Sequence, residues 1–215
     1  MTRALPYWDR VAPTKRFTHP LDLGLLAQHL PRTARILDYG CGYGRLVSEL
    51  RANGWSSVVG LDASGAMIER ARQELPEAQF FLETELESDE QLGVFDAVLL
   101  FAVWTCIPED SDLERLMRRV SGRLAPGGLL LVSDLHLQED ERNRSRYSSC
   151  DHPTHGVFEL EPGLRLRHFE ERRVHELLGG FERIHERKLE VRTMNGNPAS
   201  AFQVLARRNE RAEDL

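Results

Sequence analysis

The feature that most constrains the fold is a glycine-rich turn. Residues 36–45 read ILDYGCGYGR, so an apolar run is followed directly by three alternating glycines and then by a stretch with helical spacing. Glycine has no Cβ, which lets the chain turn tightly and lets a ligand approach the backbone. A strand that turns this way into a helix indicates a ligand site at the carboxyl edge of a parallel sheet.

The rest of the chain alternates between two patterns. Short apolar, β-rich runs lie at residues 34–38, 57–61, 79–82, 95–101 and 129–133. Stretches with helical spacing lie at 21–30, 45–52, 64–74, 112–124 and 170–178. Two final β-type segments, 184–193 and 201–207, are joined by residues 195–198, which read NGNP and are typical of an antiparallel hairpin. We therefore predict an α/β, doubly wound, mostly parallel seven-stranded sheet with helices on both faces and a C-terminal antiparallel hairpin.

Composition limits the kind of protein. The 215 residues are 41% hydrophobic, enough for one domain, and the net charge of −6 argues against a nucleic-acid partner. The three cysteines lack paired or zinc-ligand spacing, so we predict a reducing compartment and no metal site. The longest uncharged apolar run, 97–107, is too short to span a bilayer, and no signal peptide is visible. A soluble, cytoplasmic protein is expected, with its oligomeric state open.

Several ligands are compatible with a glycine loop of this kind. The chain has no Gly-Lys-Ser/Thr tripeptide, which a nucleoside-triphosphate loop needs. A dinucleotide fingerprint would place its third glycine at position 45, where this chain has Arg45; the third glycine is Gly44. Asp62 ends the second strand, 22 residues after Gly40, and an acid there can bind both hydroxyls of a ribose. That acid alone does not separate NAD from other nucleosides.

Together these residues resemble the class I S-adenosylmethionine-dependent methyltransferase family. Its first motif is a strand with an acid and a G-x-G-x-G turn, and its second is the acid after the next strand. Phe95-Asp96 and the run 124–130, LAPGGLL, resemble two later motifs, so the likeness covers roughly residues 34–208. The resemblance implies S-adenosyl-L-methionine as cofactor, with these candidate binding residues: Asp38, Gly40, Cys41, Gly42, Gly44, Asp62, Ala63, Met67, Glu85, Leu86 and Phe101.

The adenine contact departs from the family pattern. The family usually has an Asp after the third strand, whereas residues 82–86 read LETEL here. Spacing to Phe95 favours Glu85 and Leu86, although Glu85 can equally be a surface acid.

The acceptor side is less defined. Residues 101–108 lack the [Asp/Asn]-Pro-Pro-[Tyr/Phe] tetrad with which related enzymes hold an adenine amine or a glutamine amide. Trp104 is either a pocket wall or core packing, and His19 either faces the pocket or starts a helix. Arg142, Arg144 and Arg146 can clamp an anion or belong to a self-neutralising loop. The candidate acceptor-binding residues are Tyr7, Trp8, His19, Trp104, Arg146 and Tyr147; the candidate bases, none of them decisive, are His19, His136 and His155.

We thus expect one domain made of an N-terminal lid with helices (1–30), a cofactor-binding half (34–133), an acceptor-side insertion (134–169) and a C-terminal helix and hairpin (170–208). The predicted reaction is methyl transfer from S-adenosylmethionine to an oxygen, nitrogen or sulfur atom of a small molecule. An RNA or protein methyltransferase and a non-catalytic adenosylmethionine-binding protein are the alternatives.

Overall fold

The computed structural model describes residues 5–209. Seven helices span Leu5–Val11 (α1), Leu23–His29 (α2), Arg45–Ala52 (α3), Gly65–Glu74 (α4), Asp110–Arg123 (α5), Glu141–Ser149 (α6) and Glu171–Leu177 (α7). Nine strands span Ile36–Tyr39 (β1), Val58–Asp62 (β2), Gln79–Leu82 (β3), Phe95–Phe101 (β4), Leu124–Leu135 (β5), Val157–Glu161 (β6), Leu164–Arg167 (β7), Phe181–Arg192 (β8) and Pro198–Arg208 (β9). These counts apply to the described range.

Seven strands form one sheet in the order β3-β2-β1-β4-β5-β9-β8. The first five are parallel, and β9 runs antiparallel to both β5 and β8. Helices bury their apolar faces against the sheet, and the interior of the central strands is fully enclosed, as at Leu37, Val98 and Leu99. The predicted fold class is confirmed.

The register places the ligand-side residues at one edge. Asp38 pairs with Gly60 and Leu99, and Asp62 pairs with Leu82, so the carboxyl ends of β1, β2 and β3 meet. The order of connection reverses between β1 and β4, and ligands bind in open α/β sheets at such a switch point.

Residues 142–156 are polar and rich in Arg, Ser and His, and their sequence shows no periodicity, yet part of the segment is helical. Its first part lies in helix α6, which begins at Glu141. Asp140 is the N-cap of this helix, and its carboxylate accepts a hydrogen bond from the backbone N–H of Asn143 at 3.1 Å. The helix buries only Asn143 and Tyr147, which lie one turn apart. Two buried positions among mostly charged and polar residues form a periodic pattern that is too weak to predict a helix.

The small antiparallel pair β6–β7 was also missed. It forms a separate two-stranded sheet beside the main one. Its strands carry the buried side chains Val157, Phe158, Leu164 and Arg167. Among the described residues, no helix is long and apolar enough to cross a membrane.

Candidate active site

A single cavity opens at the carboxyl edge of the sheet. Its floor is formed by the ends of β1, β2 and β4, with Asp38, Gly40, Asp62 and Phe101 on its wall. Its far end lies under α6 and the β6–β7 pair. The remaining cover comes from α1, from the segment before α2 and from the connection between β8 and β9, which contribute Leu5, Trp8, Phe17, Thr18, His19, Thr193, Met194, Asn195 and Asn197.

Asp62 is bound to the glycine loop. Its Oδ2 accepts a hydrogen bond from the backbone N–H of Gly42 at 2.8 Å, and its Oδ1 accepts one from Ser64 at 2.8 Å. Burial raises the pKa of this carboxyl, while the backbone donors at Ser64, Gly42 and Ala63 oppose that shift. The second-strand acid is therefore held in place before any ligand arrives.

One carboxylate oxygen of Asp38 lacks a hydrogen-bond partner within the described structure. The side chain is 1% exposed, and its Oδ2 is buried without a hydrogen-bond partner in the described structure. Burial raises the pKa of Asp38 to about 7, against the nearby Arg45, which lowers it, and with Asp62, which adds to the rise. An unpartnered buried acceptor facing a cavity is costly unless a ligand supplies a donor.

The glycines of the loop have different neighbours. Gly40 and Cys41 line the cavity, but Gly42 and Gly44 do not. A Cβ on Gly42 would lie 2.1 Å from the Phe17 ring, which stacks on Tyr43 at 5.2 Å. The absence of a side chain at Gly42 thus makes room for the Phe17 ring against the loop.

The structure places Glu83, not Glu85, at the cavity. Glu85 is exposed and pairs with Arg72 at 2.7 Å, and Leu86 packs against the core. Glu83 comes directly after β3, where its carboxylate accepts a hydrogen bond from Tyr39 at 3.2 Å. Spacing back from Phe95 picked positions two and three residues too late, because the chain turns into a short 3-10 helix immediately after Leu82.

The segment that follows β4 is held by hydrogen bonds to residues near the end of β5. Ala102 has φ +54°, a strained conformation for a residue with a side chain, and its N–H donates to Ser133. The fully buried Asp134 accepts the backbone N–H of Thr105 at 3.0 Å. Ala102, Val103, Thr105 and Cys106 line the cavity as a result.

Two side chains at this exit, Trp104 and Cys106, differ in their position relative to the cavity. Trp104 is fully buried, packs against Phe169 and Phe202 at 5.8 and 6.0 Å between ring centroids, and is not among the cavity-lining residues. Burial raises the pKa of the Cys106 thiol well above its usual range, so the thiolate that a nucleophile needs is disfavoured.

Of the three candidate bases, only His19 reaches the cavity. It does not start α2, because Asp22 caps that helix by accepting the N–H of Leu25 at 2.9 Å. The His19 Nδ1 lies 3.0 Å from Ser133 Oγ, and burial, together with Arg45, lowers the pKa of His19 to about 4. His136 is buried and His155 is exposed, and neither lines the cavity.

The predicted acceptor residues fall into two groups. Trp8 and Arg146 line the cavity. Tyr7 and Tyr147 are buried, at 7% and 8% exposure, and are not among the cavity-lining residues. The cofactor candidates Ala63 and Met67 are also at the cavity wall.

The sequence did not single out His168, Phe158 or Phe17 as cavity residues. His168 lies in the connection after β7 and is 6% exposed. No local motif marks these residues, since tertiary packing alone brings them to the cavity. Arg142, one of the three arginines that the sequence offered as a possible anion clamp, also lines the cavity, because it lies four residues before Arg146 and therefore on the same helix face.

One further group of metal-type ligands lies away from the cavity. Glu171, His175 and Glu186 place ligand atoms within 4.8 Å of one another. Glu171 is already paired with Lys188 at 2.8 Å, and Glu186 with Arg183 at 3.2 Å. These pairs make the group an ordinary network of surface charges.

Comparison with known proteins agrees with this geometry. A family model described as a methyltransferase domain matches residues 14–173. A trans-aconitate 2-methyltransferase of Variovorax paradoxus is 36% identical over 129 residues, covering 59% of this chain and 48% of that protein. A ubiquinone biosynthesis O-methyltransferase of Xanthomonas axonopodis pv. citri is 31% identical over 138 residues, covering 60% and 56%. This chain thus spans about half the length of these relatives.

A solved structure gives a closer match in extent. The SAM-dependent methyltransferase from Methanosarcina mazei superposes with a TM-score of 0.78 at 26% identity, covering 88% of this chain and 99% of that one. The chain belongs to the class I S-adenosylmethionine-dependent methyltransferases. Its cofactor is S-adenosylmethionine.

Proposed function

We propose that this protein transfers the methyl group of S-adenosylmethionine to an oxygen, nitrogen or sulfur atom of a small molecule. The observation that carries the proposal is the continuity of the cavity. It extends from the acids and glycine loop at the ends of β1 and β2 to a covered chamber under α6 and β6–β7.

The residues at the sheet edge fit the cofactor. Asp62 is placed to accept ribose hydroxyls, and Glu83 lies on the next strand end. The unpartnered Oδ2 of Asp38 supplies an acceptor for a cationic amino group. When bound, the cofactor supplies a methyl carbon already activated by its sulfonium sulfur.

The protein itself contributes to the reaction by aligning the acceptor and excluding water. Positioning of this kind is worth roughly 7–11 kcal/mol in the best intramolecular cases. The segment between α1 and α2 is attached to the end of β8 and to the β8–β9 connection: Thr18 donates to the backbone carbonyl of Arg192, and Lys15 donates to Asn195 at 2.9 Å. They enclose the site over the sheet edge.

A small acceptor fits the enclosed chamber better than a macromolecule. Its wall includes the apolar side chains Leu135, Phe158, Leu160 and Leu166. An RNA or protein substrate needs an open groove, and the net charge of −6 does not favour RNA. The names of the curated relatives also refer to small molecules.

The test is transfer of a labelled methyl group from S-adenosylmethionine to three fractions of a cell extract: low-molecular-weight compounds, RNA and protein. We expect label in the first fraction, and none with Asp62→Ala at the same cofactor concentration. Label that enters only RNA or protein would overturn the proposal. A failure to label any fraction, with cofactor binding intact, would favour a non-catalytic binding protein.

A further inference from the structure

The far end of the cavity is basic, in contrast to the acidic sheet edge. Helical geometry places Arg142 and Arg146 one turn apart on a face that lines the cavity. Arg142 and Arg144 are both exposed, but Arg144 is not among the lining residues. The neighbouring acids Glu139, Asp140 and Glu141 are all exposed. The segment is therefore a helix rather than a loop, and two of its three alternating arginines line the cavity.

Arg146 has no carboxylate partner among the described residues. Its guanidinium lies 5.6 Å from the centroid of the Phe158 ring, so an aromatic face holds it at the cavity. Arg142 has only one ion pair, at 3.7 Å to the exposed Asp140, which already caps α6. Arg45, by contrast, also lines the cavity but is paired with Glu49 at 3.3 Å and bound to the His19 carbonyl.

His168 adds a third donor. Tyr147 accepts a hydrogen bond from the Gln138 backbone N–H at 3.1 Å, and its hydroxyl oxygen lies 2.6 Å from His168 Nδ1. The hydroxyl hydrogen is then free to be donated to Nδ1, which leaves the ring hydrogen of a neutral imidazole on Nε2. No hydrogen bond to Nε2 is formed within the described structure, and His168 lines the cavity.

The ring is neutral at physiological pH. Burial, together with Arg146 and Arg142, lowers the pKa of His168 to about 3. Neither cavity-lining imidazole, His168 or His19, has a pKa suited to a general base near neutrality. An acceptor that carries a negatively charged group fits the three donors at this end of the cavity.

We propose that the methyl acceptor is an anion, a carboxylate or phosphate on a largely apolar body, bound through its oxygens by Arg146, Arg142 and the Nε2–H of His168. This inference rests on the proposed small-molecule transfer. Guanidinium groups match both oxyanions through paired hydrogen bonds, and the apolar walls around Phe158 and Leu166 receive the remainder of the molecule. Tyr147 is a positioning residue, which fixes the tautomer of His168.

The test measures binding to protein saturated with S-adenosylhomocysteine. The probes are benzoate and hexanoate, their neutral amides benzamide and hexanamide, and phenyl phosphate, each titrated by calorimetry. Wild-type protein should bind the carboxylates or the phosphate ester at least about 10-fold more tightly than the amides, the loss expected for hydrogen bonds to a charged group. Which of the two anions binds better identifies the oxyanion.

Three variants locate the effect. Arg146→Gln should weaken anion binding about 10-fold or more, and Arg144→Gln, on the outer face of the same helix, should leave it unchanged. Tyr147→Phe should weaken anion binding less, and should change the ¹⁵N chemical shifts of His168 from the Nε2–H pattern towards a tautomer mixture, which a merely structural role would not do.

Each variant is first titrated with S-adenosylhomocysteine, so that loss of folding or of the cofactor site is seen separately. Amides that bind as well as the acids, no binding of any anion, or full anion binding by Arg146→Gln would overturn the proposal. These results would leave the proposed function untouched, because that function is judged by label transfer to the low-molecular-weight fraction.

Discussion

Asp62 accepts a hydrogen bond from the backbone N–H of Gly42 at 2.8 Å, which joins the end of β2 to the glycine loop after β1. The two strongest sequence signals are therefore one structural unit. The acid orders the loop through one oxygen and Ser64 through the other. A ribose bound here must share a carboxylate whose orientation is already set, which reduces the ordering cost of binding.

Glu83 and Glu85 form a natural matched pair for locating the nucleoside end. Glu83→Gln should weaken S-adenosylhomocysteine binding by about 1–2 kcal/mol, because it removes a charged acceptor from the cavity wall. Glu85→Gln should leave affinity unchanged, since that side chain faces solvent beside Arg72. Calorimetry on both variants decides the matter, and the opposite ranking would restore the position chosen from spacing.

We expect Asp38 to lower the unfolding free energy of the protein near neutral pH and to strengthen binding of S-adenosylhomocysteine. Its folded-state pKa, about 7, is raised above the ordinary value of 3.8, so its contribution to stability is present at low pH and is lost as pH rises towards 7. Asp38→Asn should remove this dependence. Between pH 5 and pH 8, the variant should gain about 2–3 kcal/mol in unfolding free energy relative to wild type.

The same substitution should weaken S-adenosylhomocysteine binding about 10-fold at pH 8, because the amide cannot balance a cationic amino group. Denaturant unfolding of the ligand-free protein at both pH values, with parallel calorimetry, measures the two effects. A variant that shows the wild-type pH dependence would mean that Asp38 titrates normally.

The covers of the cavity should respond to cofactor. Helix α1 is attached to α4 through Asp9, which accepts from Ser64 at 2.6 Å, and to β6 through an Arg10–Glu161 ion pair. Only a few contacts of this kind have to break for such a segment to open locally. Lid closure commonly excludes water before transfer. S-adenosylhomocysteine should therefore increase hydrogen-exchange protection around Trp8, and less strongly around Tyr147.

Helix α7 provides the internal control for that measurement, because none of its residues lines the cavity. Equal changes in α1 and α7 would indicate global stabilisation. Protection confined to the Gly40–Gly44 loop would show that α1 and α6 are fixed structure rather than covers.

The sequence predicted the central strands well because β1, β4 and residues 129–132 of β5 are nearly continuous apolar runs. Leu37, Val98 and Leu131 are buried on both faces, so their pattern needs no tertiary information. The hairpin followed from the turn residues between β8 and β9. Helix α6 was missed because it buries only Asn143 and Tyr147, which are polar enough to resemble a loop.

Site residues that belong to a short continuous motif could be predicted from the sequence, whereas residues that tertiary packing brings to the cavity could not. Asp38, Gly40 and Asp62 belong to continuous motifs, and all three line the cavity. Phe17 and His168 reach it from distant parts of the chain, through packing that no short motif encodes. For Trp104 the sequence left a pocket wall and core packing equally open, and in the structure it packs in the core against Phe169 and Phe202.

We expect the Asp62 carboxylate and the glycine loop, joined by the hydrogen bond from Gly42, to hold S-adenosylmethionine. Calorimetric titration of the wild-type protein and Asp62→Ala with S-adenosylhomocysteine, and of the wild type with NADH, tests it most directly. We predict one site of roughly low-micromolar affinity for S-adenosylhomocysteine, no NADH binding, and a loss of about 1.5–3 kcal/mol in Asp62→Ala. Tighter binding of NADH, or an unchanged affinity in Asp62→Ala, would contradict the account.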